Sequence, residues 1–204
     1  MSYRPVADGQ LAAVVTFLEM RERPALAIPP SPLGLRRIER PAPAEYRDLF
    51  RLVGSPWLWF SRLVLDDTAL DAITHDPKVE LYAVEDEAGR PSGMLELDLR
   101  EAGACELAFI GLVPALAGRG HGRWLLAEAL DKAWRPGVAR VHVHTCSLDH
   151  PAALPAYRRA GFAPYKRAIE TFPDPRLSGI LALDCAPQVP LVGAVTVSRP
   201  DSCT

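Results

Sequence analysis

Lysine is nearly missing from this chain: Lys78, Lys132 and Lys166 are the only three, and arginine supplies the rest of the 23 basic side chains. Against 25 acidic residues they leave a formal charge of −2, so neither nucleic acid nor an anionic membrane is an expected partner. No apolar run approaches the roughly 20 residues of a membrane span. Asp8, Gln10, Thr16 and Glu19 interrupt the N-terminal segment, which therefore lacks the continuous apolar core of a secretory leader. The cytoplasm is the expected compartment. Only four cysteines occur, Cys105, Cys146, Cys185 and Cys203, without paired spacing, so free thiols are expected. What the chain has in quantity is apolar surface: 49% of 204 residues, enough for one well-packed core.

Within it, Ala117-Gly118-Arg119-Gly120-His121-Gly122-Arg123 stands between two recognisable elements. Cys105 to Val113 is apolar, closed by Pro114, and long enough for one buried strand. Trp124, Leu125, Leu126, Ala129, Leu130, Ala133 and Trp134 have the spacing of a helix face. A glycine-rich turn from strand to helix leaves backbone N–H groups free at the positive end of the helix dipole, where a phosphate can sit. The glycine spacing matches neither the dinucleotide fingerprint nor a P-loop, and taken alone it also fits an ordinary tight connection.

The rest of the chain reads as follows. Asp8 caps a helix with Leu11, Val14, Val15 and Leu18 on one stripe, followed by a proline-rich link from Pro24 to Pro32. Leu33 to Glu39 is a first strand, and Tyr46, Leu49, Phe50 and Val53 mark a helix ending at Gly54. Trp57, Leu58, Trp59 and Phe60 cluster after Pro56, and Asp66 or Asp67 caps a short helix through Leu70 and Ile73. Val79–Glu85, Gly93–Arg100 and Cys105–Val113 form a meander. Gly122–Trp134 is a crossover helix, and Val138–Cys146 is a strand parallel to its predecessor. Asp149 or His150 caps the helix carrying Tyr157, and Tyr165 to Phe172 forms a last strand. Three segments follow: 1–32, a helix and link packed on the domain; 33–184, the domain; and 185–204, an irregular, poorly packed tail.

From about Val79 to Phe172 the chain resembles the GNAT superfamily of acyl-CoA-dependent N-acyltransferases. The family's phosphate loop, Gln/Arg-x-x-Gly-x-Gly/Ala, is matched by Ala117-x-x-Gly120-x-Gly122 except at its first position. Its later signature, a Tyr four residues before Gly-Phe, is matched by Tyr157 with Gly161-Phe162. The resemblance implies a mixed α/β sheet in which an antiparallel meander leads into a splayed parallel strand pair joined by the crossover helix. It also implies acetyl-CoA as co-substrate, no metal, and an acceptor that is a small-molecule or peptide amine; a homodimer is compatible with it. Backbone near Ile110, Gly111 and Leu112 would bind the pantetheine arm, and an N–H of Ile110 or Gly111 would polarise the thioester carbonyl. Ala117, Gly118, Arg119, Gly120, His121, Gly122 and Arg123 would hold the pyrophosphate. His150 stands where the family often has an Asn that touches the cofactor.

Acyl transfer to an amine needs a base, an oxyanion donor and a route for the thiolate to leave. Glu106 is the candidate base, working through a water. By strand alternation it shares a face with Ala108, Ile110 and Leu112, where a carboxylate needs a reason; an edge ion pair is the alternative. Glu96 and Asp98 are rival bases, though their alternation with Leu95, Leu97 and Leu99 fits a solvated face. Tyr157 is the candidate acid for the departing thiolate, with a core aromatic as the alternative. His142, His144 and Cys146 share one strand face; a metal site there lacks any common ligand spacing, and His144 is placed in the acceptor pocket instead. Trp57 and Trp59 are candidate acceptor contacts, or core. Besides the N-acetyltransferase, two other readings stand: a non-catalytic acyl-CoA sensor or partner-binding module, and a metal-dependent hydrolase that leaves the glycine loop unexplained.

Overall fold

A computed structural model describes residues 3–25 and 27–193. Its strands are β1 (Gln10–Met20), β2 (Gly34–Ile38), β3 (Val79–Glu85), β4 (Pro91–Asp98), β5 (Ala104–Leu112), β6 (Arg140–Cys146) and β7 (Ala163–Pro173). Its α-helices are α1 (Pro43–Gly54), α2 (Asp67–Thr74), α3 (His121–Ala133) and α4 (Ala153–Arg159). The strands form one sheet in the order β2-β3-β4-β5-β6-β1-β7. Every neighbouring pair is antiparallel except β5 and β6, which are joined through α3. This is the mixed sheet with one parallel crossover that the resemblance implies.

Helices cover both faces. On one, Trp124, Leu125 and Leu130 of α3 and Tyr157 of α4 pack on Leu18, Leu95, Leu97, Leu107, Val141 and Val143. On the other, Tyr46, Leu49, Phe50 and Val53 of α1 and Leu70 of α2 pack on Leu81, Ala83 and Met94. Asp66 caps α2 by accepting from the Ala69 N–H at 2.8 Å, as its position before the apolar stripe predicts.

Five expectations need correction. The segment holding Leu11, Val14, Val15 and Leu18 is not a helix but β1, inserted between β6 and β7 and antiparallel to both. Burial alternates at Ala13 and Val15, but the register against β7 shifts between Phe17 and Leu18 and moves the buried set to Leu18 and Met20, so the apolar spacing loses its period of two and imitates a helical stripe. The β-branched run Val14-Val15-Thr16 is the local feature that favours the strand.

The face assigned to Glu106 is wrong as well. Leu97 faces Leu107 and Glu96 faces Phe109, so Ala108 is an extra residue in β5, a bulge that inverts the alternation. Glu106 therefore shares a face with Phe109 and Gly111, opposite to Ile110 and Leu112. Nor is the Glu96 face solvated. The Tyr46 hydroxyl and the Arg62 guanidinium (2.6 Å) both donate to a Glu96 carboxylate that is fully buried under α1.

Neither Asp149 nor His150 caps α4, which begins after Ala152 without a side-chain cap. Finally, the tail is packed in its first part. Arg176, buried and paired with Asp174, donates to the carbonyls of Cys185, Ala186 and Val189, and Ala186 packs with Leu58 and Leu181. Cys203 and the tail beyond residue 193 lie outside the described residues.

Candidate active site

Parallel pairing between β5 and β6 lasts three residues, Ala104↔Arg140, Cys105↔Val141 and Glu106↔His142. Beyond Glu106 the strands part, although β5 runs on to Leu112 and β6 to Cys146. The β6-facing backbone edge of residues 107–112 is thus left without a strand partner, and an extended chain lying in the gap can bind it. A mainly apolar cavity of about 410 Å³ fills the gap. Ile110, Gly111, Leu112, Ala117, Gly118 and Gly122 wall it on the β5 side, and His144, Cys146, Asp149, His150 and Tyr157 on the β6 side.

At one end stands the glycine loop. Gly120 is the N-cap of α3 and takes a left-handed backbone (φ +84°), a conformation open to glycine at little cost. Its lack of a side-chain cap leaves the first N–H groups of α3 available. No bond to a described residue is made by the N–H groups of Gly118, Arg119 and Gly120. Side chains would face open space at Gly118, Gly120 and Gly122 alike. Arg119 and Arg123 are exposed beside this cradle, and His121 lies 3.4 Å from the Ser31 hydroxyl. Donors, dipole and room together suit an anion, and Ala117, with no polar side chain, removes none of the backbone donors.

In the middle is Tyr157, buried edge-on against Phe162 (5.8 Å) while lining the cavity. Burial raises its phenol above the usual tyrosine range, reinforced by the Asp149 charge. The phenol therefore keeps its proton near neutral pH.

The other end is aromatic. Trp57, Trp59, Phe60, Phe109 and Phe172 line it, with Glu170 among them. The Trp59 indole donates to Asp149 Oδ1 at 3.1 Å, while Asp149 Oδ2 accepts from the Thr145 hydroxyl (2.7 Å) and the Cys146 N–H (2.8 Å). Trp57 meets the His150 ring edge-on at 5.0 Å, and His150 Nδ1 accepts from the Ala152 N–H. The segment after α1 is thereby tied to the β6–α4 turn, roofing the gap. Gly111 makes the roof fit: a Cβ there would stand 2.7 Å from Val53 and 3.2 Å from Trp59.

Glu106 does not reach the cavity wall. It opens instead on an adjoining recess with Asp98, Arg100, Glu101 and His142. His144, on the wall, has Nδ1 3.3 Å from Glu106 Oε1. His142 faces Glu101 at 3.6 Å, and burial lowers its imidazole below the usual value. Among the described residues no three His, Cys, Asp or Glu side chains gather as a metal-holding group. No helix of the described residues is long and apolar enough to cross a membrane.

Sequence reasoning named the loop, Tyr157, His144, Trp57 and Trp59 as site residues; Ala117, Gly118, Gly122, Tyr157, His144 and the two tryptophans line one cavity, whereas Arg119, Gly120, His121 and Arg123 do not. It missed Phe109, Glu170 and Phe172, which no motif marks. It read Asp149 only as a helix cap, and the Glu96–Arg62–Tyr46 cluster depends on α1 folding over β4. That contact carries no local sequence signal.

Comparison with known proteins bears on the fold and the family. The solved GCN5-related N-acetyltransferase from Sphaerobacter thermophilus superposes with a TM-score of 0.60 at 21% identity, covering 83% of this chain and 52% of that one. A GCN5-related N-acetyltransferase from Kribbella flavida gives 0.53 at 18% identity, covering 84% and 63%. At such identities the likeness concerns the fold. Over 57 residues the chain is 51% identical to the N-alpha-acetyltransferase RimI of Mycobacterium tuberculosis, a match spanning 28% of this chain and 34% of that protein. The sequence model of the Acetyltransferase (GNAT) family matches residues 45–162, more than half of the chain, and the chain belongs to that family.

Proposed function

We propose that the protein transfers an acetyl group from acetyl-CoA to a primary amine by direct attack, in the cytoplasm. The observation that carries this reading is the single cavity between the parted strands β5 and β6, with a phosphate cradle at one end and an aromatic mouth at the other. The pyrophosphate lies on the N–H groups of Gly118 to Gly122 with the Arg119 and Arg123 side chains beside it, and the pantetheine arm runs along Ile110 to Leu112 as an added strand. The thioester then stands beside Tyr157, whose retained proton serves the departing sulfur. Amine enters past Trp57, Trp59 and Phe60, and the Glu106 carboxylate supplies the negative charge that draws off its proton. His150, held by Trp57 and its own turn, flanks the cofactor.

The test is release of free CoA from acetyl-CoA over a panel of spermidine, tyramine, kanamycin and the dipeptide Ala-Phe, with product masses recorded. Release together with a mass gain of one acetyl group on at least one amine is expected. Saturable acetyl-CoA binding without product on any of them would favour an acyl-CoA sensor that uses the same cradle.

A further inference from the structure

Between the Glu106 carboxylate and the cavity stands one side chain. His144 presents one nitrogen, Nδ1, to Glu106 and leaves about half of its side-chain surface (49%) open. Phe17 packs on the ring at 5.8 Å and fixes its plane from the β1 side. A carboxylate at Nδ1 selects the tautomer with the proton there, so that the lone pair is on Nε2. Among the described residues its ion-pair contact is with Glu106 at Nδ1, and the exposed half of the ring leaves Nε2 open to an acceptor. We propose that His144 takes the proton from the acceptor amine and that Glu106 acts through it as a positioning residue. This rests on the acetyltransferase reading above and assigns its base.

Electrostatics separate the two groups. The contact with the Glu106 carboxylate raises the His144 imidazole above its ordinary value, outweighing burial, and the charges of Glu106, Asp149 and Glu170 add to it. These come from β5, the β6–α4 turn and β7 respectively. His142 on the same strand opposes the charge, and Lys166 of β7 stands over the Phe17 ring at 5.0 Å. An imidazole raised from about 6.5 is matched to proton transfer near neutral pH. The same contact holds the Glu106 carboxyl below the usual carboxylate range, against burial. A carboxylate so stabilised is a poor acceptor for the proton of an amine. The arrangement makes the histidine the stronger base and the carboxylate the support of its charged form.

The amine nitrogen attacks the thioester carbonyl carbon and the C–N bond forms, while one N–H proton passes to His144 Nε2. The C–S bond breaks with its electron pair on sulfur, and the thiolate takes the Tyr157 proton. His144 releases its proton to solvent at its open side, and solvent restores that of Tyr157. The sum is amine plus acetyl-CoA giving amide plus CoA thiol.

The experiment is the pH profile of kcat/KM on the panel amine with the fastest release, for wild type, His144→Gln and Glu106→Gln. A parallel NMR titration of the His144 ring needs no acceptor. Wild type should rise through an inflection above about 6.5, coinciding with the NMR value. His144→Gln should lose that inflection and roughly 10²-fold in rate. Glu106→Gln should move the inflection and the NMR value together to lower pH, with a smaller loss of about 10-fold. Acetyl-CoA affinity should hold in both, and imidazole added to His144→Ala should restore part of the rate. An inflection that survives in His144→Gln and vanishes only in Glu106→Gln would make Glu106 the base and overturn the proposal. Wild-type inactivity on every amine would instead defeat the acetyltransferase reading, and the base with it.

Discussion

At the scale of single residues, the phosphate cradle can be tested without disturbing the protein that carries it. Gly120 is unsuited, because its left-handed backbone strains under any side chain. Gly122 is better placed: it lies in the first turn of α3, and a Cβ there meets nothing within 4 Å. Gly122→Val should therefore keep the thermal midpoint within a few degrees while weakening acetyl-CoA at least about 10-fold by calorimetry, since the branched side chain would stand where the pyrophosphate approaches. Unchanged affinity in the folded variant would move the phosphates elsewhere. Tyr157→Phe removes one oxygen from a packed ring. Turnover should fall roughly 10-fold with acetyl-CoA affinity retained, and an acyl donor with a more acidic thiol should lose less. Equal rates in the variant and the parent would reduce Tyr157 to packing. These positions were legible in the sequence because each belongs to a motif with fixed spacing. Asp149, Glu170 and Phe172 belong to none, and only the fold brings them to the cavity.

At the scale of elements, β1 is where sequence pattern and structure part. Leu11, Val14, Val15 and Leu18 fall on one helical stripe, and as a helix they would be buried alike. In β1 they are not: simple alternation would put Val14 and Leu18 on one face, but the register shift between Phe17 and Leu18 separates them, and Leu18 is wholly buried whereas Val14 is 47% exposed. Leu18→Ala should cost about 2–5 kcal/mol of unfolding free energy and Val14→Ala under about 1 kcal/mol, both read by urea denaturation. Equal losses would restore the helix. The bulge at Ala108 is a second feature beyond pattern reading, because one inserted residue changes which face Glu106 occupies while leaving composition and length of β5 untouched. The meander β3–β4–β5 and the crossover through α3 were legible, since turns at Glu87–Arg90 and Glu101–Gly103 punctuate segments of clear length.

At the scale of the whole molecule, an ion pair between the buried Glu80 and the part-exposed Arg135 ties β3 to the end of α3 and responds to acid. Glu80, on β3, accepts from Arg135 beyond α3 at 2.9 and 3.0 Å and from the Tyr82 hydroxyl at 2.8 Å. The Arg135 bonds, against burial and with help from Tyr82, lower its carboxyl to about 2. A group held below its unfolded value contributes stability above that value and loses it as pH falls toward the folded one. Glu80 therefore contributes roughly 2–3 kcal/mol above about pH 4.5, lost between there and about pH 2. Glu80→Gln should unfold more easily than wild type at pH 7, with the two denaturation curves converging near pH 2. A constant gap across that window would contradict the assignment.

The proposed function places acetyl-CoA in the gap where β5 leaves β6, with its phosphates on the unpaired amides of the glycine loop. Backbone hydrogen exchange at Gly118 to Gly122, with and without saturating acetyl-CoA, measures that placement directly. Free of ligand these amides have no bonded partner among the described residues, and they should exchange rapidly. With acetyl-CoA bound they should slow at least about 10-fold, and the protection should titrate with the same affinity that calorimetry reports. Saturable binding that leaves exchange at Gly118 to Gly122 unaltered would place the cofactor elsewhere and contradict the account.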